Sequence, residues 1–135
     1  MIKYIIILFI VILLFNINKN NNENFNSNKK TILITGSTNG IGLTVANSLD
    51  INNYQLIITG RNLNKINTIV NNLKEKGMDV YGIKADLSKE IEINKLVDSI
   101  INKYGKIDIF INNMYYLPKM INFNNLDIES LKDQI

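Results

Sequence analysis

The sequence predicts a doubly wound parallel α/β domain led by a separate apolar segment. Three observations predict it. From Lys29 onward, short apolar runs alternate with stretches of helical period, the pattern of strands joined by crossover helices. Those runs are continuous rather than alternating, as in Ile32-Leu33-Ile34, which marks strands covered by helices on both faces. The first run also breaks into a glycine-rich turn and then directly into a helical pattern.

The leading segment comes first in chain order. Met1 to Phe15 is apolar but for Lys3, and Ile5 to Phe15 is uninterrupted. A helix over residues 1–17 would span about 26 Å, a little short of a hydrocarbon core about 30 Å thick. Residues 1–17 therefore read as a membrane anchor. A cleaved secretory signal is the weaker reading, because no small-residue cleavage site follows Lys3 and the apolar run. Residues 18–28 are polar, rich in Asn and without hydrophobic period, so they read as a flexible linker. A helix packed into the fold is not expected, because this linker detaches it.

The domain proper covers residues 29–135. In Thr35-Gly-Ser-Thr-Asn-Gly-Ile-Gly42, Gly36 permits a tight turn, Gly40 lets backbone approach a phosphate, and Gly42 lets the next helix pack closely. That helix carries Ile41, Val45, Ala46 and Leu49 on one predicted stripe and aims its N-terminal N–H groups at an anion. Gln55–Thr59 reads as the second strand, with Gly60-Arg61-Asn62 at its carboxyl end. Leu63–Lys76 follows as an amphipathic helix with Ile66, Ile69, Val70 and Leu73 inward and Gly77 as its stop. Val80–Lys84 is the third strand. Ser88 is the expected N-cap of a helix over Glu90–Tyr104, Gly105 stops it, and Ile107–Ile111 is the fourth strand.

Four segments, Thr35–Gly42, Thr59–Asn62, Ala85–Ser88 and Gly105–Asn113, together resemble the cofactor half of the short-chain dehydrogenase/reductase family, in order and at the right intervals. The resemblance is strong over Lys30–Asn113 and weak from there to Ile135. It implies a Rossmann-type sheet whose turn residues Gly36, Ser37, Thr38, Asn39, Gly40, Ile41 and Gly42 hold a dinucleotide pyrophosphate. Arg61 and Asn62 would lie at the adenosine ribose. An acidic residue there would favour the 2′-hydroxyl of NAD, whereas an Arg accommodates the 2′-phosphate, so NADP is expected over NAD. The family often adds a second basic group in the glycine turn, where this chain has only Ser37, Thr38 and Asn39. By the same resemblance Asp86 binds the adenine amino group, Leu87 packs near the ring, and Asn112-Asn113 match the first half of an Asn-Asn-Ala-Gly motif beside the cofactor ribose. Met114-Tyr115 stand where that motif has Ala-Gly.

The family's chemistry uses a Ser and a Tyr-x-x-x-Lys pair placed after a fifth strand. Tyr115-x-x-x-Lys119 is not expected to serve. It follows the fourth strand directly, Pro118 interrupts any helix that would align the pair, and no suitable Ser precedes it. No catalytic residue is therefore assigned. The segment Asp127–Ile135 resembles the lead-in to the family's active-site Asn. The expected sheet is truncated after about four strands, in the order 3-2-1-4, with the fourth as an apolar edge.

Composition narrows the rest. Fifteen basic against twelve acidic side chains give a formal charge of +3, too mild and dispersed for a nucleic-acid partner. With no Cys and no His there is no disulfide, no thiol or imidazole catalysis, and no usual zinc ligand set. The 24 Asn residues include no N-x-Ser/Thr sequon, which leans against a glycosylated luminal domain. The expectation is a membrane-anchored fragment, at the endoplasmic reticulum rather than secreted. It would derive from an NADP-dependent carbonyl/alcohol oxidoreductase and have no turnover of its own. In a full-length form a small lipophilic molecule would be the substrate. The alternative is a non-catalytic dinucleotide-binding or interaction protein.

Overall fold

In the computed structural model, which describes residues 6–13 and 28–114, strands β1 (Lys30–Ile34), β2 (Tyr54–Gly60), β3 (Asp79–Lys84) and β4 (Ile109–Ile111) form one sheet. All neighbours are parallel and the order is β3-β2-β1-β4, as expected. The helices are α1 (residues 6–13), α2 (Gly40–Ser48), α3 (Leu63–Glu75) and α4 (Glu90–Tyr104). The outer parts of the expected anchor, most of the linker, Tyr115, Lys119 and the segment to Ile135 lie outside the described residues.

Strand residues point alternately to the two faces, so each run is apolar throughout while building two separate cores. Ile32, Ile34, Leu56, Ile58 and Val80 face α2 and α3, joined by Ala46, Ile66, Ile69 and Leu73. Leu33 and Ile57 face the other way, toward Ile93, Leu96, Val97 and Ile100 of α4. Gly82 of β3 lies where any Cβ would collide with Ile66 and Val70, which brings α3 close onto the sheet.

The leading helix departs from expectation. Leu8 is 1% exposed and, with Ile12, belongs to the same core as Leu33, Ile57 and α4. The reason is coverage. Two crossover helices, α2 and α3, serve one face, but α4 alone serves the other, where Leu33 and Phe110 also need a cover. Leu8 and Ile12, four residues apart and so on one helix face, supply it. Among the described residues no helix is long and apolar enough to cross a membrane.

Three local expectations are also corrected. Ile41 is 75% exposed instead of lying on the inward stripe of α2; the buried positions are Gly42 and Ala46, with Val45 and Leu49 half-buried. β4 begins at Ile109, because at the preceding position Asp108 uses its carboxylate to accept the Thr31 N–H at 2.8 Å. Ser88 does not cap α4. Its N–H and hydroxyl both donate to the Asp86 carboxylate, and Lys89 occupies the cap position without a side-chain bond.

Candidate functional site

The carboxyl ends of β1, β2 and β4 meet at one place, and the turn from Thr35 to Asn39 lies across it. Gly36 and Gly40 have φ of 62° and 49°, left-handed values that a side chain resists. Around Gly40 a Cβ would meet nothing within 4 Å, so conformation rather than protein contact requires glycine there. Gly42 is the opposite case. A Cβ there would lie 2.5 Å from Asn113 Nδ2 and 2.8 Å from the Gly36 carbonyl, so the close helix packing expected of it is present.

Hydroxyls hold the turn. Ser37, fully buried, donates to the Ile34 carbonyl at 2.8 Å and accepts the Thr59 N–H at 3.0 Å. Its side chain thus ties β1 to β2, leaving only its backbone for a ligand. Thr35 Oγ1 accepts the N–H groups of Asn113 at 3.0 Å and Met114 at 3.1 Å, and lies 3.2 Å from Asn112 Oδ1. Asn113 Nδ2 donates back to the Thr35 and Gly36 carbonyls, both at 3.2 Å. Asn113 therefore clamps the turn from β4, while Asn112 is exposed beside it. Thr35 was not among the expected site residues; its place directly before Gly36 was the available signal. Met114, the bulky departure from the motif, packs partly buried against the α4-side core, while its Cα approaches Gly36.

The α2 N-terminus is left open. Asn39 has extended backbone and no side-chain cap, no acidic residue stands in the first turn, and the Asn39 carbonyl takes the Leu43 N–H. The preceding N–H groups, Gly40 to Gly42, lie at the positive end of the helix dipole, where an anion is favoured. Thr38 packs against Gly60, which seats the turn over the end of β2. Arg61 follows there, exposed. Asn62 caps α3 by accepting the Lys65 N–H at 3.1 Å, so its side chain has a structural duty.

Beyond β3, Ser88 holds the Asp86 carboxyl below its ordinary pKa, chiefly through its hydroxyl and then its N–H. The charges of Lys89 and Arg61 add to this and slight burial opposes it. Asp86 is therefore an anionic acceptor on the same side as Arg61. Leu87 is buried in the α4-side core rather than exposed toward a ring. The structure thus brings the turn, Arg61 and Asp86 to one end of the sheet.

A family model described as short chain dehydrogenase matches residues 30–134. The uncharacterized oxidoreductase YxnA of Bacillus subtilis (strain 168) is 33% identical over 84 residues, covering 62% of this chain and 24% of that protein. An actinorhodin polyketide ketoreductase solved with NADPH superposes with TM-score 0.68 at 28% identity, over 78% of this chain and 40% of that one. A protein from Burkholderia phymatum solved in complex with NAD shares the fold, with TM-score 0.58 at 23% identity, over 64% of this chain and 31% of that one. The chain spans about a third or less of the curated relatives it matches first, 24%, 36% and 33% of their lengths.

Proposed function

Because this chain belongs to the short-chain dehydrogenase family, we propose that residues 30–113 bind NADP(H) and form the cofactor half of a carbonyl or alcohol oxidoreductase. Its main support is the uncapped N-terminus of α2 at the same end of the sheet as Arg61, with Thr38 of the turn packed on Gly60 directly before it. When bound, the nicotinamide dinucleotide supplies the hydride donor or acceptor. The chain's own residues hold and orient it. The N–H groups of Gly36 to Gly42 suit a pyrophosphate, and Asp86 offers an acceptor to an adenine amino group. Thr35, Ser37 and Asn113 keep the turn in register.

The fold admits either cofactor, since neighbours are solved with NADPH and with NAD. Arg61 favours NADP, because a planar guanidinium pairs bidentately with a phosphate and offers no acceptor to a 2′-hydroxyl. A lipophilic carbonyl substrate, in a chain carrying the whole domain, belongs to the reading in which the apolar leading segment is a membrane anchor instead of the core helix α1. Hydride transfer is not expected from these 135 residues by themselves, since no Ser and Tyr-x-x-x-Lys pair is placed against the site among the described residues.

Calorimetric titration of the 135-residue chain with NADPH and NADH tests the reading. NADPH is expected to bind about tenfold tighter or more, and Arg61→Ala to abolish that preference in a still-folded chain. A folded chain that binds neither dinucleotide sinks the proposal.

A further inference from the structure

A 2′-phosphate carries close to two negative charges, more than one guanidinium neutralises, and the glycine turn contributes no cation of its own. The structure brings one from elsewhere. Lys65, in the first turn of α3, donates its ammonium to the side-chain oxygen of Asn39, 26 residues earlier and at the tip of the turn. Three features fit it to an anion. Its hydrogen-bond partner is a neutral carboxamide, and Lys65 forms no salt bridge among the described residues, so its charge is not cancelled. It is exposed. Its backbone is fixed by the Asn62 cap, directly after Arg61, so both cations stand at the start of α3 where the helix dipole is also positive. The acidic group of this region, Asp86, acts on Arg61 and Lys89 instead.

We propose that Lys65 is the second cation of the 2′-phosphate subsite and sets NADP selectivity together with Arg61, with Asn39 holding its ammonium at the turn. The proposal rests on the dinucleotide reading above and deepens it. Asn39 then serves as a guide for a cation borne by another element, and the phosphate displaces or shares that hydrogen bond on binding.

The test titrates the 135-residue chain, and its Lys65→Gln and Lys65→Arg variants, with NADPH and with NADH. Lys65→Gln is expected to weaken NADPH about tenfold and leave NADH unchanged, while Lys65→Arg retains most of the preference. The NADPH loss should shrink at high salt, as a screened charge requires. Equal weakening of both cofactors by Lys65→Gln would make Lys65 a strap for the turn and overturn the proposal. So would an unchanged NADPH-to-NADH ratio, which leaves the dinucleotide reading standing. A wild-type chain that is folded but binds neither cofactor overturns both.

Discussion

At the scale of single residues, the site is held by small hydroxyls more than by charges. Thr35 is 1% exposed, and its oxygen is the acceptor for two consecutive N–H groups, of Asn113 and Met114, from the segment just after β4. Removing that oxygen leaves two partly buried donors without a partner, a larger loss than the hydrogen bonds themselves contribute. Thr35→Val, which keeps the shape, is expected to cost about 2–3 kcal/mol in denaturant melts, and Thr35→Ser much less. Equal stabilities for the two variants would show that the hydroxyl does not organise the turn. Arg61 and Lys65 act differently: both are exposed, so their replacement is expected to alter ligand choice while leaving the fold intact. Ser37 and Asn113 stand out in the sequence through their motif positions. That their side chains are consumed by bonds to Ile34, Thr59 and the turn carbonyls is not legible there, because those partners are met only in the folded sheet.

At the scale of elements, the start of α4 is a charged junction, with Asp86, Lys89 and Glu92 together. Glu92 accepts the Asp86 N–H at 2.7 Å and pairs with Lys89 at 3.1 Å, so the helix reaches back to fasten the end of β3. The Asp86 N–H, then Lys89, hold the Glu92 pKa below its ordinary value, and Ser88 does the same for Asp86. A carboxyl whose pKa is depressed in the folded state stabilises above its unfolded value and loses that contribution as pH falls through the folded one. Stability should therefore be constant near neutrality and decline below about pH 4. Glu92→Gln is expected to flatten part of the decline, read as melting temperature against pH; an unaltered acid slope would place its origin elsewhere. The bounds of α4, Glu90 to Tyr104, were legible because its apolar period and Gly105 stop are local. The cap was not, since Ser88 had two possible partners and Asp86 took it.

At the scale of the whole molecule, the destination of the apolar leader governs how the chain behaves. Leu8 and Ile12 sit in the core beside α4, and a bilayer could claim them only by emptying that site. Membrane attachment through residues 1–17 is thus a proposal in competition with the observed packing. If α1 covers the sheet, Leu8→Ala should cost about 2–4 kcal/mol, as for a buried large-to-small change, and the chain should not float with lipid vesicles. Flotation together with an unchanged melt would favour the anchor and require the α4-side face to be covered by something else. The same face includes Phe110 of β4, a strand that pairs with β1 alone among the described residues.

By itself, the sequence determined where the strands, the crossover helices and the glycine turn lie, because apolar period and glycine spacing act over a few residues at a time; the strand order was expected from the family its motifs resemble. Only tertiary structure decided which groups that turn would hold. Ser37 meets Thr59 across 22 residues, Asn39 meets Lys65 across 26, and Thr35 meets Asn113 across 78. It also decided that the apolar leader joins the core. A hydrogen-bond partner or a vacant core position is chosen by the geometry of the assembled sheet, and no local pattern in the chain encodes that choice.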